Sequence, residues 1–180
     1  MNHRTYSSGP DRLRSEERIA RLEVTRVAGL CLENTNIKSM LDVGTGSALF
    51  AEEFYKKNIK AAGIDFNPEM IEAAKKHLPE GEFKLSTAEE IPYEDKSFDL
   101  VFLGLVFHEV DDFSKALAEA KRVSREVVAL LEWDYVEQEF GPPLEDRLKR
   151  EFVEELAENA GFSKFEIHPL KNLILYKLYI

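Results

Sequence analysis

Two glycines, Gly44 and Gly46, flank Thr45 between the apolar run Met40-Leu41-Asp42-Val43 and the helix-spaced residues Leu49, Phe50, Ala51 and Phe54. A turn of this kind lets the backbone approach a ligand closely and aims helix N–H groups at it. Two carboxylates give the turn a chemical direction. Asp42 stands two residues before the first glycine. Asp65 closes the next apolar run, 21 residues after Gly44, where a carboxylate can accept from both hydroxyls of a ribose. A dinucleotide fingerprint would carry a third glycine where this chain has Leu49, and Asp42 would repel a diphosphate. A carboxylate beside the turn suits a ligand bearing an amino group and a sulfonium. The residues therefore favour S-adenosyl-L-methionine over NAD.

His108 follows the apolar stretch 98–105, which puts an imidazole at the end of a central strand, as a base or as a group that orients a substrate. The same position also suits a histidine that only bonds to backbone. Glu109 and Asp111 share its turn, and acids there serve equally as caps for the next helix. His3, Tyr6, Trp133 and Tyr135 are candidates for a substrate-lining role against ordinary packing. His77 and His168 read as surface or packing residues. No His, Cys, Asp or Glu cluster has metal-ligand spacing, so no metal is expected. The one cysteine, Cys31, cannot form an internal disulfide and points to a reducing, cytoplasmic setting.

The elements that must hold these groups alternate between strand-like runs and helix-period segments, the pattern of an α/β fold with a mostly parallel sheet wrapped by helices. Residues 11–32 predict one leading helix, with Ile19, Leu22, Val27, Leu30 and Cys31 along a face. Strands are expected at 40–43, 61–66, 82–87, 98–105, 127–133, 164–167 and 173–179. Asn67-Pro68-Glu69 supplies a cap, a first-turn proline and an acid for the helix after the second strand. The link 88–96 is too short for a long crossover helix. The last two strands are joined too closely for a parallel crossover and are expected to pair antiparallel.

Four ordered segments carry a family likeness. Leu41-Asp42-Val43-Gly44-Thr45-Gly46, Gly63-Ile64-Asp65-Phe66-Asn67-Pro68-Glu69-Met70, Thr87-Ala88-Glu89-Glu90-Ile91-Pro92-Tyr93 and the stretch 98–110 together resemble the class I S-adenosylmethionine-dependent methyltransferases. The likeness is nearest to the small ubiquinone/menaquinone-methyltransferase-like branch, also called type 11. The resemblance covers nearly the whole chain and implies a single-domain Rossmann-like sheet of seven strands with helices on both faces and an extra N-terminal helix. It implies Gly44, Thr45 and Gly46 beside the methionine part of the cofactor, Asp65 on the ribose, and Phe66 and Met70 against adenine. Thr87, Ala88 and Glu89 would edge the adenine, and Leu103, Gly104, Leu105 and His108 would face the transferred methyl. Thr87 stands where relatives often have an acid, and a Lys-Pro-Gly-Gly turn common before the fifth strand is replaced by Arg122-Val123-Ser124-Arg125.

Length and charge bound the remaining readings. A chain of 180 residues suits one domain, divided here into an arm and helix at 1–36, which could form a substrate lid, and a core at 37–180. A net charge of −10 disfavours nucleic acid and acidic membrane as partners. Residues 1–26 hold six arginines against four acids, a mildly basic arm on an acidic body. The longest uninterrupted apolar run, 100–107, is far below the roughly 20 residues of a membrane span, and no secretory leader is visible. A soluble, unprocessed protein is expected, as monomer or homodimer. The sequence thus reads as a methyltransferase with a small-molecule acceptor. A silent adenosine-cofactor binder and an NAD-dependent oxidoreductase are the alternatives.

Overall fold

The computed structural model describes residues 9–180. Seven strands form one sheet in the order β3-β2-β1-β4-β5-β7-β6: β1 (Ser39–Val43), β2 (Lys60–Asp65), β3 (Glu82–Leu85), β4 (Phe98–Gly104), β5 (Ser124–Trp133), β6 (Lys164–Pro169) and β7 (Leu173–Tyr179). The first five run parallel, while β7 lies antiparallel to both β5 and β6. The short β6–β7 link therefore makes the hairpin expected of it, and inserts β7 beside β5.

Alternating side chains explain why the sheet is covered twice. On β4, Leu100 and Phe102 join one core cluster with α2 (Val24–Leu32), α3 (Leu49–Lys56) and α4 (Pro68–His77). Val101 and Leu103 join the other with α5 (Phe113–Val123) and α6 (Arg150–Asn159). Helices leaving β1 and β4 thus go to opposite faces, which opens a crevice at the carboxyl ends of those neighbouring strands.

The leading segment is not one helix. It comprises a 3-10 turn (Pro10–Arg14), α1 (Glu16–Arg21) and α2. Leu22 and Val24 are both buried, yet residues two apart cannot share a helical face. The chain breaks at Glu23, which takes a left-handed φ of 48°. The Glu23 carboxylate accepts from the backbone N–H of Lys171 and from Arg26. The break lets α2 pack on α3 while α1 crosses the mouth of the crevice.

Other boundaries shift less. The third strand stops at Leu85, and 88–96 carries no helix. The fifth strand begins at Ser124, straight after α5, so the missing Lys-Pro-Gly-Gly turn has no counterpart here. As the sequence indicated, Asn67 caps α4 by accepting from Glu69 N–H; α5 is capped not by Glu109 or Asp111 but by Asp112, which accepts from Lys115 N–H. Among the described residues, no helix is long and apolar enough to cross a membrane.

Candidate functional site

The crevice is a cavity of about 840 Å³. Its floor is the glycine turn after β1. Gly44 and Gly46 have φ of 70° and 53°, conformations an L side chain adopts only at a cost. A Cβ on Gly44 would meet Val106, and one on Gly46 would meet Leu13 of the N-terminal 3-10 turn. Side chains from two other segments therefore press directly on bare backbone. Arg14 secures the second of these, the N-terminal 3-10 turn, by donating to Ser47 O at 2.9 Å and pairing with Glu52.

Asp65 lines the cavity at the end of β2 and is largely buried. Its Oδ2 accepts from Gly46 N–H and its Oδ1 from Asn67 N–H, both at 2.9 Å. A carboxylate has about four acceptor positions, so each oxygen keeps one for a ligand hydroxyl. Burial pushes its pKa up, against the lowering effect of the amides. Phe66 beside it is 52% exposed, an aromatic face left on the wall, with Met70 buried nearby. These residues fit an adenosine-type ligand: two ribose hydroxyls on Asp65 and a base against Phe66.

Asp42 behaves differently. It lies under the turn, off the cavity wall, 2% exposed, with Oδ2 accepting from the Thr45 hydroxyl at 2.8 Å. Burial pushes its pKa up to about 7. Asp42 and Thr45 thus shape the turn from inside. Leu103 is likewise a core residue on β4, Thr87 is exposed, and Ala88 is packed in the core. Glu89 accepts from Asp111 N–H at 2.9 Å. None of these six residues lines the cavity.

At the end of β4, Gly104 and Leu105 do line it. Leu105 has a φ of 60°, and its N–H donates to Leu131 O of β5. That kink turns the chain so that Val106 covers Gly44 and a 3-10 turn (Phe107–Glu109) brings His108 to the wall. His108 Nδ1 lies 2.7 Å from Glu132 Oε2, and His108 N–H donates to Glu132 Oε1 at 3.2 Å. Both side chains are buried, 4% and 3% exposed.

The family model described as a methyltransferase domain matches residues 41–130, the stretch from the glycine turn to the strand carrying Glu132. The chain belongs to this methyltransferase family. The demethylmenaquinone methyltransferase of Thermotoga maritima is 34% identical over 100 residues, covering 54% of this chain and 43% of that protein. The ubiquinone/menaquinone biosynthesis C-methyltransferase of Rickettsia akari is 38% identical over 96 residues, covering 47% and 39%. The matched stretch thus spans less than half the length of these curated relatives. A SAM dependent methyltransferase of known structure from Aquifex aeolicus shares the fold, with a TM-score of 0.82 at 24% identity over 97% of this chain and 100% of that one.

The rest of this methyltransferase-family cavity comes from the N-terminal segment and from the end of β5 and the chain after it. Arg12, Leu13, Arg18 and Arg21 line it from the N-terminal side, Trp133 and Phe140 from the strand-five end. The segment after β5 is held by Arg147, whose guanidinium donates to the carbonyls of Pro142, Asp134, Val136 and Phe140 at 2.7–3.0 Å. Sequence reasoning missed Arg147 and the pairing of Glu132 with His108. Glu132 carries a signal in hindsight, an acid ending an otherwise apolar strand; one arginine among many carries none. Tyr135 and His77 are exposed and His168 is half-buried, and none of the three lines the cavity. His3 and Tyr6 lie outside the described residues.

Proposed function

We propose that this chain transfers a methyl group from S-adenosyl-L-methionine to a small-molecule acceptor. The convergence of Gly44, Gly46, Asp65 and His108 on one cavity carries this reading. When bound, the cofactor supplies a methyl carbon made electrophilic by its sulfonium. The remaining acceptor positions of Asp65 hold the ribose hydroxyls, the glycine turn admits the methionine portion against bare backbone, and Phe66 and Met70 flank the base. His108 takes a proton from the acceptor. Residues 9–21 and the segment after β5 exclude water and hold the acceptor about 3 to 3.5 Å from the methyl carbon.

Aromatic acceptors of the quinol type are the first candidates. The named relatives methylate quinone precursors by their titles, and Trp133 and Phe140 give the acceptor end aromatic walls. Residues 1–36 serve as arm and lid, and 37–180 as the core. A monomer or homodimer is the assembly in keeping with this reading. A buried Cys31 thiol, its pKa pushed up to about 12 by burial, suits a cytoplasmic protein.

Calorimetric titration tests the reading. S-adenosyl-L-homocysteine is expected to bind at micromolar concentration and NADH not at all. Asp65→Ala lowers that affinity about 10-fold or more, because ribose hydroxyls lose their acceptor; unchanged binding refutes the assignment. Binding without product release across a panel of acceptors would instead favour a silent cofactor binder.

A further inference from the structure

We propose that Glu132 is the positioning residue that makes His108 a base, and that the acceptor is therefore one that must lose a proton on methylation. This rests on the methyl-transfer reading above. Both Glu132 oxygens are committed to His108: Oε1 accepts the backbone N–H and Oε2 faces Nδ1 at 2.7 Å. A carboxylate only accepts, so the ring proton sits on Nδ1. In the neutral imidazole, Nε2 on the opposite side of the ring then carries the lone pair. Among the described residues, Glu109 also approaches the ring, with Oε1 at 3.8 Å from Nε2, beyond hydrogen-bond range. It adds negative potential without fixing a tautomer.

The arrangement balances for an acceptor X–H. The X–H proton passes to Nε2, X forms a bond to the methyl carbon, and the carbon–sulfur bond breaks with its electron pair going to sulfur. The imidazolium that results is held against the buried Glu132 carboxylate. Phenols and enols, which are mostly protonated at neutral pH, need such a base. Thioethers and other acceptors with no proton to lose do not.

Glu132→Gln isolates the role. A glutamine has one oxygen where the glutamate has two. The backbone N–H of His108 can only donate, so it claims that oxygen, and the amide NH2 then faces Nδ1. The ring must move its proton to Nε2, where the base is blocked. Nitrogen-15 NMR of the full chain without ligand reads this directly: Nδ1–H in the wild type and Nε2–H in Glu132→Gln.

With a water-soluble 1,4-naphthalenediol as probe acceptor, kcat falls about 100-fold or more. Affinity for S-adenosyl-L-homocysteine stays within about twofold, and Glu132→Asp recovers part of kcat. A wild-type Nε2–H tautomer, or an unaltered tautomer and kcat in Glu132→Gln, would overturn the proposal. A wild type with the Nδ1–H tautomer but no cofactor binding would overturn the methyl-transfer reading and leave the pairing standing.

Discussion

Asp42 shows how position along a strand decides what a carboxylate does. Two residues further on it would have stood on the cavity wall; on β1 it is enclosed beside the Thr45 hydroxyl. Burial lifts its pKa from the ordinary 3.8 to about 7, so between those values the folded chain keeps a proton that the unfolded chain has lost. The contribution of Asp42 to stability is then greatest below about pH 4, falls as pH rises through the window and levels off above 7. Asp65 is pushed in the same direction by burial. Asp42→Asn removes the larger share of this slope. Urea unfolding at pH 5 and pH 8 should find the variant gaining on the wild type at the higher pH, with an upper bound of about 3 kcal/mol. Equal slopes in the two proteins would mean that Asp42 is ionised throughout. The sequence placed this carboxylate beside the turn correctly. It could not tell inside from outside, because that depends on which face of a fully buried strand the residue takes.

The parallel core, the cap of α4 and the closing hairpin were legible in the sequence because each rests on local spacing. The break between α1 and α2 was not. It follows from burying Leu22 and Val24 together and from a long-range bond between Glu23 and the loop at Lys171. The segment after β5 was equally opaque, since its order comes from one side chain. Arg147 is 6% exposed, and burial pulls its pKa below the ordinary arginine value. Replacing it with methionine keeps the packing volume but leaves carbonyls of four residues without that donor. An unsatisfied buried polar group costs about 1–3 kcal/mol, so Arg147→Met should lower stability by about 2 kcal/mol. It should also raise the acceptor KM about 10-fold while changing cofactor affinity little, because the loop lies at the Trp133 end of the cavity. Paired acceptor kinetics and cofactor titration separate the two effects. A matching loss of cofactor affinity would show that the loop serves the whole cleft.

At the scale of the molecule, a small fold closes its crevice with two short segments far apart in sequence. The first is latched by Arg14 to Ser47 and Glu52 beside the glycine turn. The second is drawn in by Arg147. They meet where the Arg21 guanidinium lies 4.0 Å from the centre of the Phe140 ring. No sequence pattern pairs residue 21 with residue 140; the contact exists because α1, released from α2 at Glu23, crosses the same mouth that the loop after β5 covers. If the two segments close as one unit, Arg21 and Phe140 are energetically coupled. A contact of this type is worth about 0.5–2 kcal/mol, equivalent to a 2- to 30-fold effect on a rate. Stopped-flow measurement of S-adenosyl-L-homocysteine dissociation in Arg21→Ala, Phe140→Ala and the double variant closes the cycle. Each single change should speed release, and the double should release hardly faster than either. Strictly multiplicative rates would mean that each segment opens independently and that the contact between them carries no part of closure.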